Sequence, residues 1–129
     1  MKRVYSFDDV LLAPKYSELE SRAEVNIDSA LDKDISLVLP VISSPMDTVT
    51  GPEMAKSMFA AGALGVIHRY NSVEEQAKLV FAAYSAGTEH LAAAVGVTGD
   101  FLERAKKVVD SGANILCIDV AHGHHILMD

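Results

Sequence analysis

Leu39–Thr50 reads LPVISSPMDTVT. Its first residues, Leu39–Ile42, have the composition of a buried strand bounded by proline. The chain then breaks into Ser43-Ser44-Pro45-Met46-Asp47-Thr48, and Gly51-Pro52-Glu53 opens an apolar-periodic helix. A strand that ends in a polar loop and enters a helix is where α/β proteins place their sites. Ser44 offers a hydroxyl, Asp47 a carboxylate and Met46 a soft apolar surface for a flat ring. The same residues also suit a tight turn in which Ser and Asp cap the next helix. By itself the loop favours the turn, since such loops are common.

Outward from this loop the pattern repeats. Buried strands are expected to start near Pro40, Leu64, Ala92 and Ile115, at intervals of 24, 28 and 23 residues. Between them lie helical patterns at Glu53–Ala61, Val73–Ser85 and Phe101–Ser111. Gly62 and Gly112 follow the first and last of these helices, where a left-handed cap is wanted. Leu64-Gly65-Val66-Ile67 and Ile115-Leu116-Cys117-Ile118 are apolar throughout, as parallel strands covered on both faces are. Successive βα units imply right-handed crossovers and a parallel sheet. Eight such units would need ~200 residues or more, the size of a (β/α)8 barrel. Four strands are legible here, and the helix after the fourth is only begun. The expectation is therefore part of a TIM barrel: an extended arm over residues 1–35, then about the first four βα units over 36–129. The remainder of the barrel would come from elsewhere, since half a barrel leaves apolar strand edges open. A complete four-stranded doubly wound sheet is the alternative. Within the arm, Glu24–Ile27 alternates as a short strand would, and one hairpin is expected to pack across the body. Asp8-Asp9 reads as a cap or a surface turn.

Composition narrows the function. Half of the 129 residues are hydrophobic, 6% are aromatic, and the formal charge is −7. An acidic balance argues against a nucleic-acid binder. No apolar run reaches the ~18 residues of a membrane span, and Met1-Lys2-Arg3 leads into polar residues rather than a signal peptide. The single Cys117 excludes an internal disulfide and fits a reducing, cytoplasmic compartment.

Polar groups end every strand of the repeat. They are Ser43, Ser44 and Asp47; His68, Arg69, Tyr70 and Asn71; Thr98, Gly99 and Asp100; and Asp119 with His122, His124 and His125. In a barrel all of them converge on one face. Ser72 with Glu75 forms a capping-box pattern for the second helix, and Thr98 or Asp100 could cap the third. The His122-Gly123-His124-His125 run has zinc-binding residue types. It is glycine-broken and lacks a helical i, i+4 pair, so imidazoles that cap a helix or orient a ligand are preferred to a metal site. Cys117 sits inside an apolar strand with no neighbouring base and reads as a buried, inert thiol.

Five ordered motifs, SFDDVLLAP at Ser6–Pro14, SSPMDTVT at Ser43–Thr50, GVIHRYNSVEEQ at Gly65–Gln76, AVGVTGDFLERA at Ala94–Ala105 and IDVAHGH at Ile118–His124, resemble the IMP dehydrogenase/GMP reductase family. The family fold is a (β/α)8 barrel. The resemblance implies that Ser44 and Met46 contact a purine nucleotide, Met46 lying against the base. It implies that Asp119 binds ribose hydroxyls of the nicotinamide dinucleotide, and that Thr98 and Gly99 lie along its path. NAD is the implied cofactor, or NADP for a reductase. A monovalent cation would bind outside this segment, and the assembly would be a homotetramer. The family's chemistry, thiolate attack on purine C2 followed by hydride transfer, needs a cysteine on a later loop. Cys117 is not its equivalent, so no catalytic residue is expected here. The paired regulatory domain that longer members insert after the second helix is absent. Val120 stands where dehydrogenases have Ser or Thr and reductases are apolar. SSPMDTVT and HRYNSVEEQ lean toward the dehydrogenase, which is the preferred reading. A GMP reductase, or a non-catalytic nucleotide-binding or assembly module, is the alternative.

Overall fold

The computed structural model describes residues 2–128. A small antiparallel hairpin pairs β1 (Ser29–Ala30) with β2 (Ser36–Leu37). The remainder alternates β3 (Ile42–Ser43), α1 (Pro52–Ala60), β4 (Leu64–Ile67), α2 (Val73–Ser85), β5 (Leu91–Val95), α3 (Phe101–Asp110) and β6 (Ile115–Ile118). Strands β3-β4-β5-β6 lie side by side in chain order, all parallel. Ile42 stands opposite Leu64, Gly65 opposite Leu91, and Ala92 opposite Ile115.

Local chemistry explains each helix boundary. Gly51 precedes α1 and Pro52 takes its first turn, where a missing N–H costs nothing. At α2 the Ser72 amide donates to Glu75 Oε2 at 3.0 Å, and the Glu75 amide donates to Ser72 Oγ at 3.2 Å. That is the capping box the sequence suggests. Gly62 (φ 75°) and Gly112 (φ 114°) reverse the chain after α1 and α3 in the left-handed region.

The strand period of two divides the core into two layers. On one face Ile67, Leu91 and Ala93 pack with Ala55 of α1, Val80 and Ala83 of α2, and Val108 of α3. On the other, Leu64, Val66, Ala92 and Ala94 meet Leu37 of the hairpin, with Ile115 and Cys117 beside them. All three helices thus cover one face, and the strands keep chain order. A doubly wound sheet puts helices on both faces. The described residues instead have the winding of a barrel wall.

Several expectations are corrected. The first strand is shorter than Leu39–Ile42: only Ile42–Ser43 joins the ladder. Pro40 has no N–H to give, and the Val41 amide turns back to the Leu39 carbonyl at 2.7 Å. Val41 and Ile42 lie at the sheet edge, Ile42 51% exposed, rather than anchored in the core. Glu24–Ile27 is no strand. A 3-10 turn covers Arg22–Glu24, with the Ser21 hydroxyl accepting from the Ala23 amide, and the hairpin lies further on. Of the N-terminal stretch only the hairpin meets the sheet, through Leu37; ahead of it Phe7, Leu11 and Leu12 are almost fully exposed, because no apolar surface of the described residues meets them. Asp9 does cap the 3-10 turn at Phe7–Asp9, accepting from the Ser6 amide at 2.9 Å. Strands β4 and β5 are buried on both faces. Strand β6 is not: Leu116 and Ile118, on its helix side, stay exposed beyond α3. Among the described residues no helix is long and apolar enough to cross a membrane.

Candidate functional site

Parallel pairing carries the C-terminal ends of β3 to β6 to one edge of the sheet. After β3 the loop is tied by its own backbone. The Met46 amide donates to the Ser44 carbonyl (2.8 Å), and the Val49 and Thr50 amides donate to Met46 O (3.0 Å each). Thr50, fully buried, donates its hydroxyl to Ser44 O at 2.7 Å and lies 2.8 Å from Ser43 Oγ. Ser44 and Met46 are exposed, Met46 over 49% of its surface, as are their neighbours Asp47, Thr48 and Val49. Ser44 does not cap α1, whose cap position is Gly51, and Met46 does not pack into the core.

Arg69, just past β4, crosses to Asp119, just past β6. Its Nε donates to Asp119 Oδ2 at 3.0 Å and its Nη2 to the Asp119 carbonyl at 3.0 Å. Between them lies the end of β5, where Gly96 is placed. A Cβ there would sit 3.6 Å from Arg69 Nη1, so the guanidinium runs directly over the glycine. The Arg69 guanidinium also faces the Tyr70 ring at 5.8 Å. One carboxylate oxygen of Asp119 is thereby engaged. The other carries no hydrogen bond among the described residues and is free to accept a hydroxyl. Full two-oxygen capture of a diol would require Arg69 to yield one hydrogen bond.

Thr98 and Gly99 lie on the exposed turn between β5 and α3, Gly99 at φ 67° with nothing within 4 Å of the place a Cβ would take. Asp100 occupies the cap position of α3 but makes no side-chain cap bond. Its carboxylate turns instead to Arg104, at 2.8 Å from Nη2. That hydrogen bond holds the Asp100 carboxyl below its ordinary range. Arg104 is itself buried. It reaches Gln76 Oε1 (2.9 Å) and the Asn71 carbonyl (3.0 Å), while Gln76 donates to Ala94 O at 2.9 Å.

The histidines past β6 serve local turns. His122 Nδ1 accepts from the His124 amide, and His125 Nδ1 from the amide of Leu127 within the 3-10 turn Ile126–Met128, both at 3.2 Å. Among the described residues no three His, Cys, Asp or Glu groups gather as a metal would need. A cavity of about 210 Å³ lies here, lined by Val97, Val120, His122 and His125 among others. Cys117 is half-buried rather than buried, since β6 has no covering neighbour on its outer side. Burial pushes its thiol up, and the Asp119 carboxylate adds to the shift. Such a thiol is a poor nucleophile.

Of the candidate residues, Asp119 meets Arg69, while Ser44 and Met46 sit on a separate loop at the same edge. Thr98 and Gly99 make no direct contact with either group. Gly96, Gln76 and Arg104 also belong to this arrangement, though none stands out in the sequence. The only local signals for the latter two were a glutamine on the apolar face of α2 and the i, i+4 spacing of Asp100 with Arg104.

Residues 4–128 match the family model described as IMP dehydrogenase / GMP reductase domain. Among curated proteins, an inosine-5'-monophosphate dehydrogenase of Nitrosopumilus maritimus is 41% identical over 87 residues, covering 67% of this chain and 18% of that protein. One from Cryptosporidium parvum is 32% identical over 163 aligned positions, 94% of this chain and 40% of that protein. A GMP reductase of Leishmania donovani is 41% identical over 75 residues, 58% of this chain and 15% of that protein. The chain thus spans less than half the length of each of these relatives. The Cryptosporidium alignment is longer than this chain, so that relative carries residues within the match that have no counterpart here. On the match of residues 4–128, the chain belongs to the IMP dehydrogenase/GMP reductase domain family.

Proposed function

We propose that this chain is the N-terminal part of a (β/α)8 barrel in a purine nucleotide oxidoreductase. The preferred activity is that of an IMP dehydrogenase, taking IMP, NAD and water to XMP and NADH. The observation that carries the reading is the Arg69–Asp119 pair laid over Gly96, which joins the polar ends of three family motifs at one sheet edge. Ser44 and Met46 are the nucleotide contacts: a hydroxyl for phosphate or base edge, and a thioether for the purine face. Asp119 is the ribose contact, with one oxygen unengaged for it. Thr98 and the open backbone of Gly99 lie where a dinucleotide can approach closely. These groups fit a nicotinamide dinucleotide, which when bound accepts the hydride. The nucleophile would come from residues outside this chain, because Cys117 holds its proton. The barrel would assemble as a homotetramer, and a monovalent cation would bind elsewhere in it.

A second reading, GMP reductase with NADPH, is favoured by Val120 and by the likeness to the Leishmania protein. The test uses the full polypeptide that carries this sequence. IMP with NAD should generate NADH, and Asp119→Ala should abolish most of that rate while IMP still binds. Consumption of NADPH with GMP, and no NADH from IMP, would transfer the assignment to the reductase. Nucleotide binding with neither activity would favour the non-catalytic module.

A further inference from the structure

Gln76 is fully buried and Arg104 is 6% exposed, and neither hydrogen-bonds Ser44, Met46 or Asp119. A buried guanidinium is costly unless its donors are matched. Here they are matched by one side chain of α2 and by the loops at Asn71 and Asp100. Arg104 Nη1 donates to Gln76 Oε1 (2.9 Å), Nη2 to the Asn71 carbonyl (3.0 Å), and both Nε and Nη2 reach the Asp100 carboxylate (3.3 and 2.8 Å). The Gln76 amide, its oxygen taken by Arg104, gives its N–H groups to the carbonyls of Ala94 (2.9 Å) and Ile67 (3.4 Å). Those carbonyls belong to β5 and to the last residue of β4. One amide and one guanidinium therefore connect the ends of β4 and β5, the loop at Asn71 and the turn at Asp100.

The turn so held is the one that carries Thr98 and Gly99. Gly99 has a left-handed backbone and an open surround, and Thr98 is exposed without a side-chain partner. Among the described residues no hydrogen bond holds Thr98 or Gly99 themselves, so the β5 end before them and Asp100 after them set their position. We propose that Gln76 and Arg104 are positioning residues that hold the Gly96–Asp100 turn in register for the phosphates and ribose of a dinucleotide. This rests on the reading of Thr98 and Gly99 as dinucleotide contacts. It assigns the specificity of the effect: the loop after β3, with Ser44 and Met46, is tied separately through Thr50 and does not depend on the clamp.

The test is made in the full polypeptide that carries this sequence, with NAD and IMP affinities measured separately by equilibrium titration. Arg104→Lys keeps the charge beside Asp100 but cannot donate to the amide and the Asn71 carbonyl together. Gln76→Met removes the amide at similar volume. Both are expected to weaken NAD by about 10- to 100-fold, the scale of a misplaced contact, and to leave IMP affinity within about twofold. Amide hydrogen exchange at Gly96–Asp100 should quicken in both variants. Thr98→Glu, which sets a carboxylate against the dinucleotide's phosphates, should weaken NAD by itself. If Thr98→Glu weakens NAD and Arg104→Lys does not, the clamp is overturned and the binding turn stands. If exchange quickens but neither Arg104→Lys nor Thr98→Glu alters NAD binding, the turn binds no dinucleotide, and both the reading and the proposal fall. Equal loss of NAD and IMP affinity would reduce the pair to fold maintenance and overturn the proposal.

Discussion

Met46 shows how a residue can be outward and yet well placed. Its backbone is tied by the amides of Val49 and Thr50, while about half of its side chain faces solvent. Met46→Ala should weaken purine nucleotide binding by about 1–3 kcal/mol, the cost of losing a large apolar contact. The melting temperature should barely move, because the side chain is not in either core layer. Calorimetric titration beside a thermal melt checks both halves. A large fall in melting temperature with unaltered affinity would make Met46 a packing residue. At this scale the loop was legible, since Ser43-Ser44-Pro45 announces a strand end. The reach of Arg69 to Asp119 was not. Fifty positions separate them, and no local pattern tells which strand ends become neighbours.

Helix α1 packs on β4 through a missing side chain. A Cβ at Gly65 would stand 2.5 Å from the Cα of Ala55, which is backbone and cannot swing away. Gly65→Ala should therefore push α1 off the sheet and destabilise the fold by about 1–3 kcal/mol, as overpacking does. Denaturant unfolding measures it, and an unchanged midpoint would refute the close approach. Helix α2 carries a pH dependence at its start. Hydrogen bonds from the Ser72 amide and hydroxyl hold the Glu75 carboxyl below its ordinary 4.5. A depressed carboxylate contributes stability that is present above the unfolded value and is lost as pH falls through the lower folded one. The first turn of α2 should thus lose hydrogen-exchange protection on acidification below about pH 4.5. Glu75→Gln, which can still fill the capping box, should flatten that response. Protection independent of pH in the parent protein would contradict it. All three βα helices were legible to within a residue of their ends. The first strand and the arm differ from expectation for one reason: apolar composition at Leu39–Ile42 and polar–apolar alternation at Glu24–Ile27 were both taken as a sign of a covered face. Burial depends on what lies beside a segment, and β3 ends a sheet while the stretch ahead of the hairpin leaves Phe7, Leu11 and Leu12 exposed.

At the scale of the whole molecule, four parallel strands in chain order with three helices on one face make a wall with two open sides. Ile42 on one side and Leu116 and Ile118 on the other remain exposed. Beside Leu116 a groove against α3, lined by Ala105, Val109 and Asp110, follows the same boundary. The repeat length made this winding readable, because each βα unit is local. A hairpin against the body was expected, but not that its contact is Leu37, on the face opposite the helices. The central claim is that the C-terminal ends of these strands bind a purine nucleotide. It is tested most directly by backbone NMR of the isotopically labelled polypeptide during titration with IMP. Shifts should gather at Ser43–Thr50 first, and at Gly96–Asp100 and Asp119 when NAD is added. Saturable shifts confined to the opposite end of the sheet, around Gly62, Gly87 and Gly112, or no shifts at all, would contradict it.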